Sequence, residues 1–349
     1  MRGLLFDFIF SPEEPDEKII NSFSDIINEK DLSVDYLKKI SRESTGYEFY
    51  VGIDLLEPLV SRKIDKIKIR IDLSGKVLSE NTKACYHPGL SNSNNFLNEP
   101  YFSVSKSMLR DSLTSYLNNS FSWNNILTWE HEIIHWLDDN LKKYNEENFF
   151  GTSDCKAKRF LFQLFAYRRE GLADLFDTLI GGNDITSMES ARKKFATEIK
   201  RVFKVPPSRI LNPAFALQKL DKNASYDIGP WMILHVLSCP ENPDRFPGTE
   251  GMMLKQKNNE GHDSLEIPTM LKSALKINNY TFLKYLTVPG VDGQPFINPD
   301  QMRLIRKTMK MIPDGREDIK YYEKKYPEES SSIIKIIELY NWFANEQFK

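Results

Sequence analysis

The chain has little cysteine and no long apolar run. Its 349 residues include three cysteines, Cys85, Cys155 and Cys239, too few to build a disulfide framework for a chain of this size. The apolar N-terminus is interrupted by Asp7 and is too short for the hydrophobic region of a signal peptide. No other stretch approaches transmembrane length. These absences predict a soluble protein of a reducing compartment, the cytoplasm, and leave open secretion by a route without a signal peptide.

The chain also lacks an excess of charge of either sign. It has 47 Lys and Arg and 49 Asp and Glu, a formal net charge of −2, with a pI near 6.3. Domains that bind nucleic acid or an anionic membrane carry a basic surface. We therefore expect neither among the partners, whereas small molecules, peptides and proteins stay open. These features leave the oligomeric state undetermined.

Histidine is scarce too, with five in the chain, yet two of them stand in the pentapeptide His131-Glu132-Ile133-Ile134-His135. Residues four apart lie on the same face of a helix, so both imidazoles can bind one metal ion. Glu132 lies on the neighbouring flank and is directed toward a water on that metal rather than toward the metal. Apolar residues at helical spacing on both sides predict that this helix is buried.

A catalytic zinc site needs a third protein ligand and an open position for water. The best candidate lies in a helical pattern over residues 157–180. Within it Glu170 and Asp174 are four apart, hence on one face, and the small neighbours Gly171 and Ala173 let another helix approach closely. We predict Glu170 as the third ligand and Asp174 as the acceptor for the ring N–H of a zinc-bound histidine. The alternative is two solvated acids on the polar face of a helix.

These patterns resemble the gluzincins, the HExxH metallopeptidases that include thermolysin and the zinc aminopeptidases, whose third ligand is a Glu on a following helix. Their Glu-x-x-x-Asp pattern is matched by Glu170 and Asp174. Tyr226-Asp227-Ile228-Gly229 is similar to the Tyr-x-x-Gly segment that presents a tyrosine hydroxyl to the tetrahedral intermediate. The resemblance covers residues 101–237.

The resemblance implies zinc-dependent hydrolysis of a peptide bond, with one zinc ion per chain and a peptide or protein as substrate. The ligands would be His131, His135 and Glu170. Glu132 would take the proton of the attacking water, and Tyr226 would donate a hydrogen bond to the oxyanion. The spacing from His135 to Glu170 is longer than in thermolysin, which leaves the subfamily open.

The zinc aminopeptidases carry a Gly-x-Met-Glu-Asn segment on the edge strand that binds substrate. The corresponding residues here, 101–105, read Tyr-Phe-Ser-Val-Ser and lack it. An endopeptidase is therefore expected rather than an aminopeptidase.

Other interpretations of single residues stay open. Asp154 ends a Gly-Thr-x-Asp segment that resembles the aspzincins, whose third ligand is an Asp, although the Tyr-Gly expected after it is absent. Asp154 is otherwise a loop residue or a helix cap.

Cys85 and His87 would supply half of a structural zinc site, and no second pair accompanies them. His235, on an apolar segment, is predicted to be a core histidine, with contact to the reaction intermediate as the alternative.

Two functional alternatives also remain. A gluzincin fold that has lost catalysis would make the chain a binding or scaffold protein. A helical interaction protein with an accidental HExxH would bind no metal, and it would leave Glu170, Asp174 and Tyr226 unexplained.

Alternating apolar and charged residues over 66–73 predict a half-buried strand, and residues 47–53 and 101–104 also favour strands. Residues 80–100, rich in Asn and Ser, predict a loop. A helix is predicted over 105–117, beginning with a capping serine.

Together these elements predict a mainly helical α+β chain. The resemblance implies the zincin fold, with a small N-terminal sheet above the zinc helix and a helical C-terminal part. We predict three segments: an N-terminal α+β segment with edge strands (1–104), a zinc-binding catalytic core (105–238), and a linker with a helical C-terminal region (239–349). The apolar pattern over 333–343 predicts a packed helix.

Overall fold

The computed structural model describes residues 5–28, 32–56, 66–79, 81–87, 99–141, 166–176, 187–203, 224–246, 249, 266–277 and 279–303. The chain divides into two compact units, Met1–Asn140 and Leu141–Lys349. Helices and a small four-stranded sheet make up the described elements, so the mixed α+β class is confirmed. None of the helices in these ranges has the length and apolarity needed to cross a bilayer. The division into three segments remains a prediction.

The first unit contains the sheet. Its elements along the chain are β1 (Leu5–Ser11), α1 (Glu17–Ile27), α2 (Val34–Leu55), β2 (Lys66–Asp72), β3 (Ala84–His87), β4 (Tyr101–Val104), α3 (Lys106–Leu117) and α4 (Trp123–Leu141). The strand order is β1-β2-β4-β3. Strands β1, β2 and β4 are parallel, and β3 lies antiparallel to β4 at the edge. A small sheet therefore precedes the helix that carries the histidine pair, as predicted.

Strand β2 follows the predicted alternation. Ile67, Ile69 and Ile71 are buried, whereas Lys68 and Arg70 between them are half-buried. Because successive side chains point to opposite faces of a strand, one face of β2 is apolar and the other polar. The predictions of strands over residues 66–73 and 101–104 are thus confirmed, with β2 ending one residue early.

The prediction of a strand over residues 47–53 is wrong, because these residues lie in α2. The segment is rich in aromatic and β-branched side chains, which favour strands. In α2, however, Ser41, Thr45, Phe49 and Ile53 recur every fourth position and are all fully buried. Packing of this helical face overrides the local preference.

The predicted loop over residues 80–100 contains β3 and is wrong over residues 84–87. A four-residue strand between polar and proline-containing segments gives little periodic signal. It forms because its main chain pairs with β4, where Cys85 lies opposite Ser103 and Tyr86 opposite Phe102. Among the described strands, β3 and β1 are therefore the two edges of the sheet, and the predicted edge strand β4 lies inside it.

The helix predicted over residues 105–117 is confirmed as α3. The hydroxyl of Ser105 accepts a hydrogen bond from the N–H of Met108 over 3.3 Å, which satisfies one of the unpaired donors at the helix start.

Aromatic rings form the centre of the first unit's core. The ring of Phe49 in α2 lies 5.7 Å from that of Phe6, 5.0 Å from that of Phe102 and 5.0 Å from that of Trp129, each in an edge-to-face arrangement. Such contacts add to the free energy of burying the rings. They join β1, β4 and α4 through α2.

The second unit is helical where it is described. Residues 166–176 form a helix, here α5, followed by α6 (Met188–Phe203), α7 (Ala224–Ser238), α8 (Glu266–Ala274) and α9 (Asn279–Leu286). The helix predicted over residues 157–180 is confirmed across the part that the structure describes. The helix predicted over 333–343 lies outside the described residues.

Candidate metal centre

The two histidines of the HExxH pentapeptide lie on α4 and approach each other. Their Nε2 atoms are 3.1 Å apart, and their rings are nearly perpendicular, with centroids 4.7 Å apart. His135 is buried and His131 is half-buried. Spacing of four on a helix produces this arrangement, because the two side chains leave adjacent turns in the same direction.

The predicted third ligand, Glu170, lies on α5. Among the described residues, one group of His, Cys, Asp and Glu side chains is placed to hold a metal ion: ligand atoms of His131, His135 and Glu170 lie within 4.8 Å of one another. Glu170 is half-buried. These three are the residues that the sequence predicts as ligands.

The donor set suits zinc. Two imidazole nitrogens and one carboxylate oxygen form a ligand set of catalytic zinc sites. With zinc–nitrogen bonds near 2.0–2.1 Å, two ligand atoms on a tetrahedral ion are about 3.3 Å apart. The separation of 3.1 Å between the Nε2 atoms of His131 and His135 is close to that value, and it is also the length of a hydrogen bond between the two rings.

Glu132 points in a different direction from the two histidines. Its Oε2 accepts a hydrogen bond from the main-chain N–H of Tyr86 over 2.6 Å, and its side chain is half-buried. A carboxylate in this position keeps its second oxygen, Oε1, for another donor. This contact to β3 has no signal in the sequence, because it depends on where the edge strand lies.

Several contacts within the first unit fix α4. The carboxylate of Glu48 in α2 is buried beside the start of α4, where it accepts hydrogen bonds from the Ser122 N–H and from the Asn125 side-chain amide. Burial raises the pKa of Glu48. Gly52 allows α2 to pack closely on α4, since a methyl group there would lie 3.3 Å from the Trp129 Cβ.

In the second unit, α5 and α7 cross at a pair of glycines. A Cβ on Gly171 would overlap the main chain of Gly229, and a Cβ on Gly229 would overlap the main chain of α5. The close helix approach that Gly171 suggests is therefore found. Glu170 is adjacent to this crossing, and Tyr226 lies one helical turn before it on α7.

The predicted oxyanion donor Tyr226 is an exposed residue, with 46 % of its surface accessible to solvent. Its neighbour Asp227 forms an ion pair with Lys194 of α6, which ties the start of α7 to α6. Asp174 is half-buried on α5. The roles of Tyr226 and Asp174 remain predictions.

His235 is a structural histidine, which agrees with the predicted core position. It is buried, and its Nε2 donates to the carbonyl oxygens of Tyr285 and Val288, both at 3.1 Å. Because Nε2 carries the proton, Nδ1 is an acceptor, and it faces Arg192 Nη2 at 3.4 Å. Burial, followed by the charge of Arg192, lowers the pKa of His235 to about 4. With both nitrogens engaged, His235 is not available to a reaction intermediate.

The other candidate ligands receive no support. Asp154 lies outside the described residues. His87 bonds to the Ser103 hydroxyl at 2.6 Å and stacks on the ring of Tyr101, and no third ligand joins Cys85 and His87 in the part of the chain that the structure describes. Burial, followed by the charge of Arg70, lowers the pKa of His87 to about 4.

Three charged residues close to the predicted ligands in the chain are buried, and the sequence gives little sign of it. Glu130 and Asp138 on α4 and Arg168 on α5 are each at most 1 % exposed. Charged side chains are almost never fully buried unless they are paired, and all three interact with other groups. The only signal was their position within three residues of a predicted ligand.

Comparison with known proteins adds no relative. No protein-family model matches the chain, and no curated protein and no solved structure is significantly similar to it. The relation to the gluzincins therefore stays a resemblance carried by His131, Glu132, His135, Glu170 and Tyr226.

Proposed function

We propose that the chain is a zinc-dependent peptidase. The observation that carries the proposal is the group of His131, His135 and Glu170, whose ligand atoms lie within 4.8 Å of one another. Glu132 stands between the two histidines in the chain, as the base of an HExxH hydrolase does. A site that only binds metal does not need a carboxylate at the position of Glu132, so its presence favours a hydrolase.

The proposed ligands are His131, His135 and Glu170. When bound, zinc lowers the pKa of a coordinated water toward neutrality and polarises the substrate carbonyl. Glu132 takes the water proton as the new C–O bond forms, and it passes a proton to the amine as the C–N bond breaks. Tyr226 donates its hydroxyl proton in a hydrogen bond to the oxygen on which negative charge develops.

The arrangement of elements supports the zincin fold as part of this proposal. A small sheet comes before the helix that carries the histidine pair, and the helix that carries Glu170 follows it. Correcting the edge strand does not change the expected substrate class, because β3 reads Ala-Cys-Tyr-His and also lacks Gly-x-Met-Glu-Asn. We propose an endopeptidase acting on a peptide or protein, in keeping with the predicted cytoplasmic location.

The test begins with metal content. The purified chain is expected to hold about one zinc ion, measured by elemental analysis after zinc reconstitution and removal of excess metal. Glu170→Ala should weaken zinc binding sharply, and the matched variant Asp154→Ala should leave it nearly unchanged. A chain that binds no zinc, or zinc loss in Asp154→Ala but not in Glu170→Ala, would contradict the proposed site.

The second step measures cleavage. Zinc-loaded protein is incubated with a peptide library with and without a chelator, and the products are identified by mass spectrometry. Internal cleavage that the chelator abolishes and zinc restores is expected. Tight zinc binding without cleavage of any peptide would instead support the inactive scaffold, and release of N-terminal residues alone would indicate an aminopeptidase.

A further inference from the structure

The carboxylate of Glu132 contacts the main chain of the sheet's edge strand. We propose that the N–H of Tyr86 positions Glu132 for the proposed reaction, so that Tyr86 is a positioning residue acting through its main chain. This inference rests on the proposed function. The Tyr86 N to Glu132 Oε2 distance of 2.6 Å is shorter than that of most N–H···O bonds, about 2.7–3.2 Å, as expected for a charged acceptor.

The direction of this N–H follows from the pairing of β3 with β4. In an antiparallel pair, residues alternate between those that exchange main-chain hydrogen bonds and those that do not. The Ser105 N–H donates to the Lys83 carbonyl over 2.7 Å, so Lys83 and Ser105 form a bonded pair. Three residues later on β3, Tyr86 opposite Phe102 is a non-bonded pair. Its N–H therefore points away from β4, toward the opposite side of β3, where it donates to Glu132.

Both ends of this hydrogen bond are held by the same aromatic side chain. The ring of Tyr86 is buried, with its centroid 5.3 Å from that of Phe102. On α4, Trp129 precedes Glu132 by about one turn, and its ring centroid lies 6.2 Å from that of Phe102. Packing against Phe102 thus fixes both the strand that donates and the helix that accepts.

The consequence for the proposed reaction is restraint of the base. A glutamate side chain free to rotate spreads over several rotamers, and ordering it costs conformational entropy. A bond from Tyr86 to Oε2 selects one orientation and leaves Oε1 of Glu132 to accept the proton. Small errors in the position of a catalytic group can reduce the rate about a hundredfold.

The activity test uses proline, which lacks the N–H. Tyr86→Pro is compared with Tyr86→Ala, which removes the same ring and keeps the N–H. Proline is tolerated on an edge strand where the N–H points out of the sheet, so no bond to β4 is lost. The kcat of Tyr86→Pro is expected to be about tenfold to a hundredfold below that of Tyr86→Ala. KM and zinc content should be alike in the two variants.

A spectroscopic test needs no turnover and no proline variant. The full-length chain is labelled with 15N-tyrosine, and the Tyr86 amide is assigned from the peak that disappears in Tyr86→Phe. In metal-free protein this amide proton is expected at low field, as for a short bond to a carboxylate. Glu132→Ala should move it upfield, whereas His131→Ala, which changes the neighbouring side chain and keeps the carboxylate, should leave it nearly in place.

The outcomes separate this inference from the proposed function. An amide that does not respond to Glu132→Ala, or a Tyr86→Pro variant that turns over as fast as Tyr86→Ala, overturns the positioning role. A responsive amide in a chain that cleaves no peptide overturns the proposed function and supports the hydrogen bond between Tyr86 and Glu132. A responsive amide together with the lower kcat of Tyr86→Pro supports both.

Discussion

The histidine pair on α4 and His235 on α7 differ in what their ring nitrogens face. The Nε2 atoms of His131 and His135 lie 3.1 Å apart, and both residues belong to the group that could hold a metal ion. In His235 one nitrogen donates to two carbonyl oxygens and the other faces Arg192. All three side chains belong to helices with apolar surroundings, so burial alone does not separate a ligand from a structural histidine. The partners of the ring nitrogens do.

The largest effect is expected when one histidine of each kind is replaced by alanine. His135→Ala should lose zinc and all turnover while keeping the fold, because two protein ligands do not complete the site. His235→Ala should keep zinc but unfold more easily, by about 2–3 kcal/mol, because the Tyr285 and Val288 carbonyls lose a buried donor. Elemental analysis and chemical denaturation of both variants check this. Loss of zinc from a folded His235→Ala would contradict the structural assignment.

Next in size is the effect of changing the base and leaving the histidine pair intact. Glu132→Gln keeps the shape of the side chain and cannot accept the water proton, so turnover should fall by about 10²- to 10⁴-fold. Zinc content and thermal stability should match those of the wild type. The measurement is kcat on a peptide identified from the library. Cleavage near the wild-type rate by Glu132→Gln would rule out Glu132 as the base.

A smaller loss is expected from the predicted oxyanion donor. Tyr226→Phe removes one hydroxyl from a half-exposed ring and should lower kcat about a hundredfold, with little change in KM or zinc content. The hydrogen bond would form as charge develops in the transition state, so its loss appears in kcat. Steady-state kinetics on the same peptide decide it. Unchanged kcat would make Tyr226 a packing residue. His235 could not act as the oxyanion donor in its place, because both of its ring nitrogens already have partners.

Asp174→Asn tests whether the histidine ligands are oriented by an acceptor on α5. If Asp174 accepts the ring N–H of a zinc-bound histidine, the amide should weaken zinc affinity about tenfold to a hundredfold. Competition with a chromogenic chelator measures the affinity. An affinity equal to that of the wild type would place Asp174 on a solvated helix face, as the alternative holds.

The last effect concerns stability alone and leaves zinc binding and turnover unchanged. The pKa of His235 is about 4 when folded, against 6.5 for an unperturbed histidine. Between these values the unfolded chain binds a proton that the folded chain does not. The contribution of His235 to the free energy of unfolding is therefore fully present above pH 6.5. It is lost as the pH is lowered toward 4, by about 3 kcal/mol.

His235→Gln provides the control for this pH dependence, since the amide retains a donor and does not titrate. Its free energy of unfolding, from urea denaturation between pH 7 and 4, should decline less steeply than that of the wild type. His87→Gln should flatten the curve separately, because burial lowers the pKa of His87 to about 4 as well. Parallel curves for His235→Gln and the wild type would contradict the assigned cause.

The sequence by itself predicts those features that depend on residues close together in the chain. The spacing of His131 and His135 places both rings on one helix face. Ser105 caps α3, and alternation over residues 66–73 marks β2, because a cap and a two-residue period are local features. Glu170 is predicted as the third ligand from the helical pattern around it and from the resemblance to the gluzincins.

Contacts between residues far apart in the chain depend on the tertiary structure. Residues 47–53 prefer strand locally and lie in a helix, since the buried face of α2 contributes more than the local preference. Strand β3 exists because β4 pairs with it, and that pairing turns the Tyr86 N–H toward Glu132. The partners of His235 come from residues 285–288, far along the chain. Hydrogen bonds and packing between distant residues leave no periodicity in the sequence, so the structure had to show them.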